Sequence, residues 1–377
     1  IRGTVDMGAD EYCPPPTVLT GGASAVTAVS ATLHGTLSDL SGSTSVAVSF
    51  EYGRLPGGPY PNESSTQTLS GPGSFSVTLD NLTDGITYYY RAKAVAKATA
   101  YYGAEAQVTT TALAQTWYVD ARVAAGGDGT LWSQAFADLQ SALDVAGRGD
   151  QIWVAAGTYR PSVMVADGPD APGERNKTFL LVESGVALYG GFAGGETTLA
   201  ARDWHTNETI LSGDPGTPED TSDNSYHVVM ASYLDSSTVL DGFTITGGNA
   251  SAAAGGGGIL TYQSALRVTN CWIHANSSAG NGGGMLNIES APTLANCVLT
   301  LNTAASGGAM SNSTSSPVIT NCTVAGNTAT EGDGGISNRW DSDPVVTNCI
   351  LLGNGSASIY SDDADSIPVV TYSCIDG

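Results

Sequence analysis

The sequence predicts an all-β chain in which a right-handed parallel β-helix with an N-terminal capping helix follows an antiparallel β-sandwich. Three observations predict it. Cys271, Cys297, Cys322 and Cys349 recur at steps of 26, 25 and 27 residues, each directly after an asparagine (Asn270, Asn296, Asn321, Asn348). The composition, with 48 glycines, only 13 Lys and Arg and 13% charged residues, favours turn-rich β-structure. Upstream lies a stretch of short alternating strands that lacks this period.

At 377 residues the chain exceeds one ordinary core, which predicts two domains or one domain plus a repeat array. An apolar fraction of 41% separates the low charge from disorder. The formal net charge of −23 opposes contact with nucleic acid or anionic membranes, both of which depend on Lys and Arg. The sequence contains no run of 18 apolar residues and so predicts no membrane span. Acidity leaves weak surface Ca2+ as the one ion in view, with no other cofactor expected. The opening Ile1-Arg2-Gly3 carries neither Met nor a signal peptide and reads as processed, or as an excerpt of a longer chain.

Residues 1–13 form a separate segment ahead of a proline run. Residues 14–113 contain SATLHGTL, VAVSFEYG, GSFSVTL, TYYYRAKAVA and EAQVTTT, short alternating segments that predict a sandwich of about seven strands. Within it, LTDGITYYYRAKAV resembles the fibronectin type III pattern, with Leu82 six residues before Tyr88 and a turn at Asp84-Gly85. That resemblance implies that Tyr88 is a tyrosine corner.

Residues 116–377 are assigned to the β-helix. Its capping helix is placed at about 133–146, with Phe136, Leu139, Leu143 and Ala146 on one face, Ser133 as N-cap and Gly147 as the stop. A helix there covers the open edge of the first coil. Downstream, ALRVTNCWIHAN, APTLANCVLTLN, PVITNCTVAGN and PVVTNCILLGN superimpose. A second asparagine series (Asn276, Asn302, Asn327, Asn354) and a third (Asn287, Asn312, Asn338) keep the same step. A period near 25 residues, built of β-branched strands and Gly, Asn and Ser turns, fits one coil of a parallel β-helix. At ~4.8 Å per coil, roughly nine coils form a rod on the order of 40 Å long. Upstream, Gly242-Phe243 stands where later coils have Asn-Cys. In VITNCTV the side facing the core depends on where the strand bends, and the cysteines are assigned inward.

The stretch TWYVDARVAAGGDGTLWSQAFADLQSALDVAGRGDQIWVAAGTYRPS, followed by LYGGFAGGE and the TNC coils, resembles the right-handed parallel β-helix repeat proteins of bacterial and archaeal cell surfaces. These share the pectate-lyase-like fold and include polymorphic outer-membrane-type proteins. The resemblance implies the fold and an extracellular or cell-surface setting, and its members range from anchors and adhesins to polysaccharide-degrading enzymes. In that family a string like IRGTVDMGADEY stands at the end of the β-helix, whereas here it precedes the sandwich. Two readings follow. Residues 1–12 finish the preceding unit of a tandem array, or they form a donor strand that docks on a neighbour's last coil through Val5, Met7, Ala9 and Tyr12. Such a heterologous contact, repeated, builds a filament.

The cysteine ladder reads as a buried stack of small apolar side chains, with metal or disulfide chemistry as the alternative. Cys374, in TYSC, departs from the TNC pattern and is predicted to face the other way; with Cys13 it forms the candidate disulfide pair. The asparagine ladders read as stacked turn residues, with a ligand surface as the alternative. Asp214, Glu219, Asp220 and Asp223 are the densest acidic cluster before the ladder and read as a solvated loop, with weak Ca2+ binding second. Asp362, Asp363 and Asp365 read the same way. The scattered Arg267 and Arg339 support no lyase, and His34, His205, His227 and His274 share no triad or metal spacing. The expected function is a non-catalytic structural protein that self-associates head to tail. The alternatives are a carbohydrate-binding or polysaccharide-degrading module, and an adhesin. Sugar binding would need several exposed aromatics on one face, and the late coils offer only Trp272, Trp340 and Tyr360, at unrelated positions in the repeat.

Overall fold

The computed structural model describes residues 15–165, 173–217, 220–251, 255–355 and 357–376. Val5, Met7, Ala9, Tyr12 and Cys13 therefore lie outside the described residues. The chain divides into two units, one ending at Leu113 and the other starting at Ala114.

The first unit packs two antiparallel sheets face to face. One contains Thr17–Ser24, Ala31–Asp39 and Gly73–Leu79. The other is built on Val46–Gly53 and Thr87–Ala96, flanked by Asn62–Glu63, Gln67–Leu69, Thr99–Tyr102 and Ala106–Thr109. Strict alternation in Thr87–Ala96 buries Tyr88, Tyr90, Ala92, Ala94 and Ala96, because successive side chains in a strand point to opposite faces. They share one core with Leu33, Leu37 and Val77 of the opposite sheet, and the rings of Phe50 and Phe75 meet across it at 5.0 Å. At the turn before Thr87–Ala96, the Thr83 amide donates to the Tyr88 hydroxyl at 3.0 Å. That bond makes the tyrosine corner and fixes the angle at which the chain enters the strand.

The second unit is a parallel β-solenoid. Its first face has nine strands, from Thr116–Val119 to Val369–Thr371, and its second has eight, from Gly157–Tyr159 to Cys374–Ile375. The third face has eight, from Val163–Met164 to Ile359–Ser361, and only its first pair is antiparallel. A short four-stranded sheet, Asn249–Ala250 to Thr328–Ala329, bridges the second and third faces. One repeat runs Arg267–Thr269, Trp272–His274, Ser277–Ser278, Met285–Ile288, and then returns to the first face at Thr293–Ala295.

Identical register from coil to coil stacks like on like inside the rod. Leu240, Val268, Leu294, Ile319 and Val346 form one inward column, and Ile245, Ile273, Leu299, Val324 and Leu351 form another. All ten are at most 1% exposed. At roughly 1.5–3 kcal/mol per buried branched side chain, these columns are the main apolar contribution to the rod. The Gly-Gly pairs stand where coils approach each other's backbone. A Cβ on Gly283 would lie 2.3 Å from the Thr303 carbonyl oxygen, so no larger residue fits without moving a neighbouring coil.

The capping segment differs from its expected form. The helix covers only Leu139–Leu143, and a single 3-10 turn covers Trp132–Gln134. Between them Phe136 is extended and bridges Val119: its amide donates to the Tyr118 carbonyl at 2.8 Å, and its carbonyl accepts from Asp120 N at 2.9 Å. Backbone pairing with the first strand thus overrides helix propensity at 135–137. Asp138, not Ser133, caps the helix by accepting from Ser141 N at 2.9 Å. Leu139, Ala142 and Ala146 still seal the core of the first coils.

Candidate functional site

Each repeat turns one of its left-handed corners, the one between the first and second faces, at an asparagine. Asn270, Asn296, Asn321 and Asn348 have φ of 53, 55, 56 and 56°, the left-handed region that asparagine tolerates better than most side chains. That corner breaks the two-residue alternation. Ile319 before it and Cys322 after it both point inward, while Val318 is 41% exposed. Outside the corner the carboxamides form an exposed ladder, in which Asn348 donates to Asn321 at 2.6 Å, and Asn321 to Asn296 and Asn296 to Asn270 at 3.3 Å. Upstream, Gly242 takes the corner at φ 81° and Phe243 fills the cysteine position, 1% exposed.

Cys271, Cys297, Cys322 and Cys349 are buried free thiols, 1–2% exposed. Burial pushes the Cys271 thiol up to about 12, and the neighbouring Cys297 thiol, together with burial, pushes Cys322 up to about 12. Cys349 is raised as well, through its hydrogen bond to Cys322. Protonated, shielded thiols of this kind are packing groups, not nucleophiles or metal ligands. In the last coil Ser373 occupies the cysteine slot, and its hydroxyl accepts from Cys349 N at 3.0 Å. Cys374 instead pairs with Ile350 on the outward register and is an exposed free thiol.

The other two asparagine series lie inside the rod. Asn276, Asn302, Asn327 and Asn354 donate successively to the next Oδ1 at 3.1, 3.0 and 2.9 Å, and Asn287, Asn312 and Asn338 do the same at 2.8 Å. All are at most 1% exposed. A further ladder was not read from the sequence. The amides of Ser264, Ser290, Ser315 and Ser342 donate to the hydroxyl one coil on, ending at Ser366, at 2.9–3.1 Å. Its signal was present as serines spaced 26, 25, 27 and 24 residues apart, ahead of Ala-Leu, Ala-Pro, Ser-Pro, Asp-Pro and Ile-Pro.

Two surfaces of the solenoid stand out among the described residues. The first is the outer side of the last described coil. Val370 continues the column of Val268, Leu294, Ile319 and Val346, yet it is 40% exposed. Ile367 and Val369 beside it are 63% and 49% exposed, and Tyr372 projects almost fully.

The second is a groove of about 480 Å3 over the corner between the first and second faces, lined among others by Trp204, His205, Glu208, Thr244, Trp272 and Asn296. Trp272, half-exposed, stacks on His274 at 4.1 Å and donates from Nε1 to Thr300 Oγ1 at 2.9 Å. Trp204 is held from behind by the Arg202 guanidinium, 4.8 Å from its ring centre. The Arg202 side chain is itself 8% exposed and paired with Asp241 at 2.5 Å, and Asp241 also accepts from Asn270 at the head of the exposed ladder. Glu208 accepts from Thr244 Oγ1 at 3.0 Å and is the one carboxylate among the described residues lining the groove. Burial lowers the His274 pKa against the opposing pull of Glu208. Sequence spacing could not pair Trp204 with Trp272, because they sit on non-equivalent coils 68 positions apart (272 − 204).

No family model and no curated protein matches the chain. Among solved structures it is similar to the sensor domain of the anti-sigma factor RsgI4 of Pseudobacteroides cellulosolvens, at 21% identity over 26% of this chain and 98% of that one, TM-score 0.23. A fibronectin type III domain of the human KIAA0970 protein matches at 14% identity over 25% of this chain and 73% of that one, TM-score 0.19. A Yersinia enterocolitica family 28 exopolygalacturonase matches at 10% identity over 94% of this chain and 84% of that one, TM-score 0.19. At these scores none of them bears on activity.

The remaining candidates stay apart. Asp363 caps a turn by accepting from Asp365 N and Ser366 N, and Asp362 faces Arg339 at 3.8 Å. His34 bonds Ser24, and half-buried His227 meets the Gly256 carbonyl at 2.9 Å. Trp340 and Tyr360 are exposed outside the groove. Among the described residues, no three His, Cys, Asp or Glu side chains converge as a metal-ligand set, and no helix is long and apolar enough to cross a membrane.

Proposed function

We propose that this chain is a non-catalytic extracellular structural protein that self-associates head to tail, a β-strand from one unit adding to the last coil of the next. The observation that carries this reading is Val370, in a register position that is sealed in every preceding coil from Leu240 onward and 40% exposed here. A strand laid beside Val369–Thr371 would pair with the outer edge of that strand and cover the column, as in β-augmentation. Residues 1–12 supply a suitable strand, with Val5, Met7, Ala9 and Tyr12 as its apolar positions. The test is electron microscopy of the purified full chain and of a variant lacking residues 1–12. Fibres from the full chain, lost in the deletion and restored by a synthetic peptide of residues 1–12 fused to a second solenoid, are expected. Fibres that persist in the deletion overturn the donor-strand reading.

The Trp204–Trp272 groove favours a second reading, a carbohydrate-binding module. Two indoles, a carboxylate and one histidine lining the same groove match the alternating apolar and hydroxyl-bearing surfaces of a sugar. A single lining carboxylate fits binding rather than glycoside hydrolysis, which pairs two. Under this reading Trp272→Ala weakens binding to a panel of oligosaccharides at least tenfold by calorimetry. Equal heats for both proteins remove it.

A further inference from the structure

We propose that the uncharged outer side of the last coils is a lateral docking face for a second copy of this chain, anchored by Tyr372. This goes beyond end-to-end addition and does not depend on it. From Ser290 to Thr330 the chain contains no Asp, Glu, Lys, Arg or His, although the whole carries a net charge of −23. Parallel register sets what faces outward there. The outward positions of the first face, from Thr293 to Thr371, and of the second, from Val298 to Leu352, are all Val, Thr, Ala, Ile or Leu. Val318, Val345, Val369 and Ile350 among them are 41, 37, 49 and 47% exposed. Charges stop at the margins. Arg267 stands one coil upstream, Asp343 Oδ1 accepts from Ile367 N at 2.6 Å, and Asp376 Oδ1 accepts from Ser358 Oγ at 2.6 Å.

Tyr372 takes the corner that Asn296, Asn321 and Asn348 take in the coils before it, at φ 50°. A bulky side chain in the left-handed region is strained. Packing within the single chain does not offset that strain: Tyr372 is 91% exposed, and no hydrogen bond or ring contact holds its side chain among the described residues. An outlier of this kind points to a contact made elsewhere. Beside it, over the same corner, lies a trough of about 360 Å3 with Asn321, Thr323, Asn348 and Ile350 in its walls. Knob and hole thus sit side by side on one surface, the arrangement a twofold contact needs, with each ring entering the other copy's trough. Charge favours a second copy. Two chains of −23 repel wherever their carboxylates face each other, and along this band they approach without burying one. About four coils at ~4.8 Å by about seven residues at ~3.3 Å give on the order of 400 Å2 per copy, so one pair is weak alone and gains strength between rods already aligned.

The experiment is sedimentation velocity of the full chain over a concentration series at low and high salt, with electron microscopy of the same samples. A reversible dimer is expected at high micromolar concentration, tightened by salt because the repulsion between copies is screened. Tyr372→Gly, which relieves the corner and should not lower the urea midpoint, and Val318→Glu, two coils in from the end, should each weaken the dimer at least about tenfold. Tyr360→Glu adds the same charge on the third face and should dimerise as the parent does. Where the chain forms end-to-end fibres, the parent's should be laterally paired and those of Val318→Glu single but equally long, so loss of pairing and loss of elongation are read separately. A parent that is monomeric at every concentration and gives only single fibres overturns the proposal, even if a sugar occupies the trough. Equal loss in Tyr360→Glu and Val318→Glu overturns it too, because it marks a general effect of added charge.

Discussion

At the residue scale, one amino-acid type does two different jobs in this solenoid, and the structure separates them. Asn296 is a corner: its φ of 55° costs another L-residue on the order of 1–2 kcal/mol, and its exposed carboxamide bond at 3.3 Å adds little. Asn302 is a buried connector. Its Oδ1 accepts from Asn276 N and Nδ2 at 3.1 Å, and its Nδ2 donates to the Ile273 carbonyl at 2.9 Å and to Asn327 Oδ1 at 3.0 Å. Truncating it leaves several buried groups unsatisfied at about 1–3 kcal/mol each. Asn302→Ala should therefore lower the urea midpoint of the solenoid far more than Asn296→Ala, and Asn296→Gly should be nearly neutral because glycine adopts the corner freely. Equal midpoints for Asn302→Ala and Asn296→Ala would show that the inner ladder carries no special share of stability. The period alone could not tell these two asparagines apart. Both recur with the same step, and only the position of the left-handed corner decides which one points inward.

At the scale of the element, the repeat was legible because each coil copies the register of the one before, so a residue that suits one coil recurs in the next. The same logic explains Gly242-Phe243, where glycine substitutes for the corner asparagine and phenylalanine for the inward cysteine. The capping segment was less legible for the opposite reason. It occurs once, and its amphipathic pattern describes a helix equally well with or without Phe136. What keeps the helix from starting before Leu139 is the pairing of Phe136 with Val119, a partner distant in sequence. The serine ladder is hidden in the sequence because serine is common and hydroxyls are conformationally permissive; its meaning lies in the amide of the preceding coil, from which each hydroxyl accepts a hydrogen bond. The groove was illegible for a third reason. Trp204 belongs to an irregular upstream coil, so no period relates it to Trp272, and their approach depends on how that wider coil folds back over Gly242.

At the scale of the whole molecule, association must work against a formal net charge of −23 on every unit. That charge supplies a test of what drives assembly at the last coil. Val370→Lys reduces the mutual repulsion of two units by adding a positive charge, so association governed by charge would strengthen. Association governed by burial would fail, because a lysine in the column of Val346 and Ile319 cannot be covered by an added strand without burying an ammonium. Since Val370 is already 40% exposed in the single chain, the substitution should leave the unfolding midpoint of the monomer within about 0.5 kcal/mol of the parent. The same change at Val346, which is 0% exposed, would unfold the coil and serves as the contrast. Sedimentation of Val370→Lys as a stable monomer under conditions where the parent forms fibres is the expected outcome. Fibre formation equal to or stronger than the parent's would move the contact away from the open column and onto the outer surface of the rod.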